Sequence, residues 1–459
     1  MPRFLLRHAL LPDGWRDDVL VTTDTAGQIA AVSPEQNAGD AVLLDGPVLP
    51  GLANLHSHAF QRAMAGLAER SGPTADSFWT WRETMYRFAA KLTPADIEAI
   101  ASQLYAEMLE AGFTAVAEFH YVHHQADGTP YDDPAELSWR ILAAAEASGI
   151  GLTHLPVLYR HGGFGQREPQ PRQRRFLHDS DAYAALLQKL APAFGGRGDR
   201  RLGIAPHSLR AVSPAMLQAA IAALDEIDAT APIHIHIAEQ IAEVDECLGW
   251  SGRRPVDWLL DQGAVNERWC LVHATHLTAG ETLRLARSGA VAGLCPTTEA
   301  NLGDGLFPAV DYMAAGGRIG IGSDSHVSVD AAEDLRLLEY GQRLIRRSRN
   351  LLAGGPECST GRRLFEATAA GGAQAVGQPM GAIEAGRRAD FLLLDGEAPT
   401  LAARRGDTVL DSWIFPGQRR PMIREVWVGG RRVVEQGRHV RAGEFAARYR
   451  QTLRRLIEE

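Results

Sequence analysis

The chain has 459 residues, of which 45% are hydrophobic and 22% are charged, as is usual for a globular protein with a sizeable core. Its formal net charge of −9 at pH 7 argues against a nucleic-acid-binding surface. No apolar run reaches the roughly 18 residues that a membrane helix needs. The four cysteines show no CxxC spacing and follow no signal-peptide pattern, so we expect a cytoplasmic protein with free thiols.

Both ends of the chain are predicted to be short strands separated by turns. Near the start, strands are expected at Arg3–Leu11, 19–23 and 29–32. In the tail, residues 389–395 form a predicted strand, and residues 426–434 form a hairpin around two glycines. We therefore expect one small β-sandwich domain built from residues 1–48 and 376–459.

The middle of the chain, residues 49–375, alternates predicted strands and helices. Thr93 is an expected N-cap, Pro94 suits the first helical position, and Gly112 suits the stop. Strands are predicted at 49–58, 114–120, 152–159, 201–207, 233–238, 270–273, 291–295 and 318–323. Eight such β/α units predict a closed (β/α)8 barrel, the catalytic domain of an α/β protein. Active sites on this fold lie at the C-terminal strand ends.

Histidines and a carboxylate lie at the ends of four of these strands. His56 and His58 are two residues apart in the first strand and so face the same side. The later strands supply His234, His236, Glu239, His273 and Asp324. Three histidines and one carboxylate suit zinc or iron(II) and leave a position for water. Spacing alone does not choose between His234 and His236.

These motifs together resemble the amidohydrolase superfamily, in its mononuclear deaminase branch, over nearly the whole chain. They are LPGLANLHSH at 49–58, HIAE at 236–239, the lone His273, SD at 323–324, and GAIEAGRRADFLLLD at 381–395. The resemblance implies one divalent metal, zinc before iron(II), held by His56, His58, His236 and Asp324. It also implies that a metal-activated water is the nucleophile, Glu239 the proton shuttle, His273 the group that orients the water, and Asp324 its proton acceptor.

Five further polar residues near the strand ends are candidates for substrate binding: Gln61, Arg82, Tyr121, His207 and Arg210. The planar fork of arginine binds a carboxylate through two hydrogen bonds, so two arginines suit a small dicarboxylate. The segments 56–66, 78–86, 118–124, 207–212 and 295–305 resemble the formimidoylglutamate deiminases of histidine degradation. That family hydrolyses N-formimino-L-glutamate to N-formyl-L-glutamate and ammonia, and by this resemblance the five residues hold the glutamate part.

Other functions remain as alternatives. An aminopurine or other aromatic-base deaminase of the same superfamily is the alternative substrate assignment. A binuclear, dihydroorotase-like hydrolase commonly bridges its metals with a carboxylated lysine at a strand end, and neither Lys91 nor Lys189 is placed for this. A non-catalytic binding relative is disfavoured by Glu239 and His273 beside a full ligand set.

The insertion at 162–200 contains Arg172, Arg174 and Arg175 and is longer than most connections. We predict a solvated loop there, with a lid over the site as the alternative. From the family resemblance we also expect a homodimer that binds neither nucleic acid nor membrane.

Overall fold

The structure, a computed structural model, describes residues 2–34, 38–69, 78–263, 265–417 and 422–458, with the side chains of all but residues 78 and 79. Its strands are β1 Arg3–Leu11, β2 Gly14–Thr23, β3 Ile29–Pro34, β4 Val42–Pro50, β5 Leu52–Ser57, β6 Phe113–His120, β7 Gly151–Leu158, β8 Arg200–Leu202, β9 Ala205–Pro206, β10 Ile233–Ile237, β11 Trp269–His273, β12 Val291–Leu294, β13 Arg318–Ile321, β14 Phe391–Leu394, β15 Ile423–Val428, β16 Arg431–Glu435 and β17 Arg438–His439.

The helices are α1 Phe78–Lys91, α2 Pro94–Glu110, α3 Glu136–Ser148, α4 Ser180–Phe194, α5 Pro214–Asp228, α6 Ile241–Ser251, α7 Pro255–Asp261, α8 Ala279–Arg287, α9 Pro296–Leu302, α10 Ala309–Ala314, α11 Ala331–Arg346, α12 Thr360–Val376, α13 Asp407–Ile414 and α14 Ala442–Glu458, with 3₁₀ helices at Ala59–Met64 and Pro171–Phe176. Helix α2 begins as predicted, because the Asp96 N–H donates to Thr93 Oγ1 at 3.3 Å and the Thr93 N–H donates to the Asp96 carboxylate at 2.8 Å. This capping box satisfies N–H groups that a helix leaves without internal partners.

Strands β5 to β13 form the barrel. Strands β5 to β8 pair in parallel, and so do β10 to β13. Parallel bridges close both seams: Ser57 pairs with Asp324, and Ser208 pairs with His236. The predicted (β/α)8 barrel is therefore confirmed, and the C-terminal ends of all its strands meet at one opening.

The fourth barrel strand differs from its prediction as one strand over 201–207. It is divided into β8 and β9, which both pair with β7. Gly203 lies at the break, where a Cβ would stand 2.5 Å from the Pro232 carbonyl oxygen. The neighbouring backbone passes so close here that only glycine fits, and a glycine of this kind interrupts a regular strand.

Strands from both chain ends form one eight-stranded sheet in the order β17–β16–β15–β14–β4–β1–β2–β3. The sheet is strongly curved, so that its edge strand β3 comes back to the segment just before β14. There the Ile29 N–H donates to the Arg387 carbonyl at 2.7 Å. The rings of Phe4 in β1 and Trp427 in β15 meet edge to face inside it, with centroids 5.2 Å apart. The predicted sandwich from both termini is thus present. Strand β4, of which only Leu49 and Pro50 fall within a predicted strand, leads directly into β5 and joins the sheet to the barrel.

The tail also contains helices α13 and α14, which a purely β-rich tail does not include. Helix α14 lies against the barrel, where Tyr449 OH donates to the Arg62 carbonyl at 3.0 Å and Arg448 pairs with Glu98 at 2.8 Å. The domain boundaries at 48/49 and 375/376 stay a prediction. In the described part of the chain, no helix combines the length and apolar character needed to cross a membrane.

Candidate metal centre and substrate cleft

Three imidazoles and a carboxylate meet at the open end of the barrel. The Nε2 atoms of His56 and His236 lie 2.9 Å apart. Asp324 Oδ1 lies 3.5 Å from His56 Nε2 and 3.4 Å from His58 Nε2. All four side chains are buried. The structure thus brings together, from β5 and the residue after it, from β10 and from the turn after β13, the four residues that the sequence resemblance implies as metal ligands.

Backbone carbonyls fix the orientation of two of these rings. His58 Nδ1 bonds to the Phe119 carbonyl at 2.9 Å, and His236 Nδ1 bonds to the His207 carbonyl at 3.1 Å. A neutral ring that donates through Nδ1 keeps its lone pair on Nε2. Burial lowers the pKa of His58 to about 3 and holds the pKa of His56 and His236 well below the usual value. Neutral, inward-facing imidazoles beside a carboxylate are the donor set of a divalent metal.

The two histidines of β10 have different surroundings. His234 lies two residues nearer the start of the strand than His236, a separation of about 7 Å. Its Nε2 bonds to the Ala375 carbonyl in the last turn of α12 at 2.8 Å. Of the clusters of potential metal-ligating side chains among the described residues, none includes His234. It fastens the strand to α12.

Three more ionisable side chains, His273, Glu239 and Glu299, lie beside the cluster. His273 Nε2 lies 3.7 Å from the Asp324 carboxylate and 3.8 Å from that of Glu239, and His273 Nδ1 lies 3.3 Å from Glu299. Burial alone would lower the pKa of His273, but the carboxylates of Glu239, Glu299 and Asp324 outweigh it and raise the pKa to about 10. For Asp324, burial raises the pKa to about 7 against the opposing effect of His273. Glu299, within the 295–305 segment, is a site residue that the sequence reading missed.

The backbone is strained around these groups. Ala238, His273, Ala274, Asp324 and His326 all have φ between +47° and +68°. Non-glycine residues seldom adopt this conformation, which costs on the order of 1–3 kcal/mol each. His273 and Asp324 carry site side chains, Ala238 and Ala274 lie next to Glu239 and His273, and His326 bonds to Ser57 and Ser323 behind the ligands. The backbone is therefore strained where it leaves the strands and directs the side chains of Glu239, His273 and Asp324 into the cleft.

Hydrogen bonds behind the ligands hold the strand ends in place. Asn54 Nδ2 donates to Ser323 Oγ at 2.6 Å, and the Ser323 N–H donates back to Asn54 Oδ1 at 3.1 Å. Ser57 Oγ donates to the Glu118 carboxylate at 2.5 Å and lies 3.1 Å from His326 Nε2. All five side chains are buried. They link β5 and β6 to the turn after β13, on which Asp324 lies.

A cleft of about 570 Å³ opens above the cluster. Its wall includes every residue predicted to bind substrate, namely Gln61, Arg82, Tyr121, His207 and Arg210. Gln61 Nε2 donates to Tyr121 OH at 2.7 Å, so these two side chains form one unit. The wall also includes side chains that were not predicted: Trp81, Met85, Tyr86, Tyr159, Phe176 and Leu302. The cleft is thus polar toward the metal ligands and partly aromatic around them.

Two guanidinium groups lie in this cleft. Arg82 Nη2 donates to Tyr159 OH at 3.3 Å, and its Cζ lies 5.2 Å from the centre of the Tyr86 ring. Arg210 is only 8% exposed. Burial, and then the charges of these two arginines, hold the pKa of His207 well below its usual value. The cleft therefore contains two positive charges and a neutral imidazole in one wall, an arrangement that suits a small anionic molecule.

The insertion at 162–200 forms part of the cleft wall. Its 3₁₀ helix, Pro171–Phe176, places Phe176 in the lining. Arg175 is 3% exposed, and its guanidinium donates to the Leu92 carbonyl at 3.0 Å. The prediction of a solvated loop is therefore wrong for Arg175, although the other two arginines of that cluster are exposed.

The two lysines of the chain lie away from the metal ligands. Lys91 Nζ donates to the Leu456 carbonyl at 3.3 Å, and Lys189 pairs with Asp133 at 3.3 Å. Both belong to helices, α1 and α4. The binuclear alternative, which calls for a carboxylated lysine at a strand end, finds none here.

Comparison with known proteins identifies the family. The family model described as "Amidohydrolase family" matches residues 48–433. The chain belongs to the amidohydrolase family. This amidohydrolase is 55% identical over 459 residues, all of both chains, to a formimidoylglutamate deiminase from Pseudomonas aeruginosa. It is 30% identical over 451 residues, 94% of each chain, to a 5-methylthioadenosine/S-adenosylhomocysteine deaminase from Halobacterium salinarum.

Two solved structures have the same fold. An amidohydrolase from Brucella melitensis is 49% identical, covers 100% of both chains and has a TM-score of 0.93. An adenosine deaminase from Xanthomonas campestris with bound zinc is 22% identical, with a TM-score of 0.82 over 100% of this chain and 98% of the other. The latter similarity concerns the fold alone.

Proposed function

We infer that this amidohydrolase is a formimidoylglutamate deiminase, which hydrolyses N-formimino-L-glutamate to N-formyl-L-glutamate and ammonia. The relative with that activity matches the whole chain at 55% identity, against 30% for the purine-nucleoside deaminase. The structural observation that carries the inference is the presence of Arg82 and Arg210 in one cleft with the metal ligands. A dicarboxylate substrate needs two cations at a set distance from its reacting carbon, whereas a neutral aromatic base needs none.

We assign one divalent metal to His56, His58, His236 and Asp324, and zinc as its identity. Zinc favours imidazole and carboxylate donors and keeps a position open in catalytic sites, although iron(II) accepts similar ligands. When bound, such an ion lowers the pKa of a coordinated water from roughly 15.7 toward about 7. Elemental analysis of protein purified without added metal distinguishes the two ions.

Three side chains would move or orient protons in the reaction. Water adds to the carbon of the C=N bond, and Asp324 accepts a proton from it as the C–O bond forms. Glu239 gives its proton to the nitrogen, which takes the electron pair of the C=N bond. As the C–N bond breaks, the proton held by Asp324 passes to this nitrogen and the proton of the new hydroxyl returns to Glu239, so neutral ammonia leaves instead of an amide anion. His273, between these two carboxylates at 3.7 and 3.8 Å, orients the attacking water. The carbon and its new oxygen remain as the formyl group.

The glutamate part of the substrate would occupy the cleft. Arg82 and Arg210 each bind one carboxylate, because a guanidinium offers two parallel N–H donors to it. The hydroxyl of Tyr121, held by Gln61, and the neutral ring of His207 supply hydrogen bonds without adding charge. The charge and shape of the cleft thereby match a substrate whose carboxylates lie at a fixed distance from its formimino carbon.

A substrate panel with ammonia release as the readout tests this assignment. We expect efficient turnover of N-formimino-L-glutamate and a loss of about thirtyfold or more for N-formiminoglycine, which lacks one carboxylate. Guanine, adenosine and cytosine should not be deaminated. Efficient deamination of one of these bases, with N-formimino-L-glutamate ignored, would refute the substrate assignment while leaving the metal assignment in place.

A further inference from the structure

The 3₁₀ helix Pro171–Phe176 lies against α1, the helix that carries Arg82. Three of its side chains contact α1: Arg172 with Glu83, Gln173 with Tyr86, and Arg175 with the carbonyl of Ala89. Positions 83, 86 and 89 are spaced by three and therefore share one helix face. The insertion thus contacts α1 at three points along one face of the helix that carries Arg82.

One residue of the insertion, Gln173, is connected to the cleft arginine through a tyrosine. Gln173 is 3% exposed, its Oε1 accepts the Gln170 N–H at 2.7 Å, and its Nε2 donates to Tyr159 OH at 2.6 Å. The same hydroxyl accepts from Arg82 Nη2 at 3.3 Å. The Tyr159 ring also packs on His207, with ring centroids 4.6 Å apart. A single phenol group therefore joins the insertion to two candidate substrate-binding residues.

An arginine side chain that has to order itself on binding loses affinity. Ordering its rotamers costs conformational entropy, and fixing the side chain beforehand removes that cost from binding. We propose that Gln173 is a positioning residue for the substrate: through Tyr159 and Tyr86 it holds the Arg82 guanidinium ready for a carboxylate. This inference rests on the proposed function, because it takes the ligand of Arg82 to be a carboxylate of N-formimino-L-glutamate.

The proposal is tested by the kinetics of Gln173→Leu, made once in the parent enzyme and once in an Arg82→Met variant. Leucine keeps the approximate volume but removes the amide, so KM for N-formimino-L-glutamate should rise about 3- to 10-fold, the equivalent of one or two hydrogen bonds. The kcat should stay nearly constant, since the metal ligands are untouched. In an Arg82→Met background the same substitution should change KM by less than about twofold, because coupled residues are non-additive.

Two further variants complete the design. Tyr159→Phe removes only the shared hydroxyl and should repeat both results, which decides the question if Gln173→Leu does not fold. Gln218→Leu, at an exposed position of α5, is the matched control and should leave KM and kcat unchanged.

The outcomes separate this proposal from the proposed function. Equal rises of KM in both backgrounds, no rise in the parent enzyme, or a joint fall of kcat and metal content would overturn the positioning role. A parent enzyme inactive on N-formimino-L-glutamate refutes the proposed function, and the inference with it. Failure of the positioning role is detected by comparing the two backgrounds, whereas failure of the proposed function is detected with the parent enzyme alone.

Discussion

Replacing each cleft arginine by methionine separates a dicarboxylate substrate from an aromatic one. Methionine keeps an apolar stem but removes the charge and all N–H donors. Losing one partner of a desolvated charge pair costs roughly 2–5 kcal/mol, or about thirtyfold to several thousandfold in kcat/KM. Arg210 is 8% exposed, whereas Arg82 is half-buried. Solvent screens the more exposed charge. We therefore expect the loss of kcat/KM to lie near the upper end of this range for Arg210→Met and near the lower end for Arg82→Met.

Arg210 also has a neighbour that complicates its removal. Glu243 is 2% exposed; burial raises its pKa, and the charge of Arg210 lowers it. Arg210→Met therefore leaves a carboxyl group buried without its cation and should destabilise the fold as well. Arg210→Lys keeps the charge but loses the two-pronged donor geometry. It should restore stability while recovering only part of kcat/KM.

Steady-state ammonia release on two substrates, with metal content and thermal stability measured alongside, checks this prediction. On N-formiminoglycine one arginine has no carboxylate to bind, so one of the two methionine variants should lose little there. That comparison assigns each arginine to its carboxylate. Losses below about threefold with metal retained, or equal losses for both variants on both substrates, would show that the arginines do not bind carboxylates.

The remaining predictions concern the metal centre and assembly. Glu239→Gln should lower kcat by at least about 10²–10⁴-fold with metal content unchanged; a nearly active variant means the shuttle is misassigned. Chelation should abolish turnover, and about one equivalent of metal per chain should restore it, whereas two tightly bound equivalents contradict a mononuclear site. The homodimer expected from the family resemblance stays a prediction, which light scattering of the purified protein checks.

The barrel and its metal-type residues could be predicted because both follow local rules. A buried parallel strand is a short apolar run, and the polar residues that end such runs meet at one face of a barrel. His56, His58, His273 and Asp324 each follow a run of this kind. Nothing local separates His234 from His236, which share a strand face. The distinction lies in the contact of His234 with the Ala375 carbonyl, 141 positions away in the sequence.

What the sequence did not predict depends on contacts between distant segments. Tyr86, Tyr159 and Gln173 meet only because the insertion folds back on α1. Arg175, in an arginine-rich stretch, was expected in solvent but is buried where its guanidinium can satisfy backbone carbonyls. Strand β4 contains Gly46 and two prolines, which in a local reading argue for turns. It forms a strand because its backbone pairs with β1 on one side and β14 on the other, and these two strands come from opposite ends of the chain.

The segment of the tail that carries the family motif also joins the sheet to the barrel. Arg388 and Asp390 form an ion pair at 2.6 Å, with side chains 3% and 1% exposed. Asp390 accepts a hydrogen bond from Thr114 Oγ1 at 2.8 Å, near the start of β6, and another from the Gly429 N–H at 3.0 Å, in the turn between β15 and β16. This carboxylate therefore bonds to both domains at the end of the barrel opposite the metal ligands.

Adjacent arginines make this junction testable. Arg388→Met leaves the Asp390 carboxylate buried without its cation and should lower the free energy of unfolding by about 3–5 kcal/mol. Arg387→Met removes a pair with Glu384 whose side chains are 41% and 43% exposed, and such pairs contribute less than about 1 kcal/mol. Urea unfolding measures both, and kcat per folded molecule should be unchanged, because the metal ligands lie at the far end of the barrel. Equal destabilisation by the two substitutions would mean that the buried pair does not hold the sheet to the barrel.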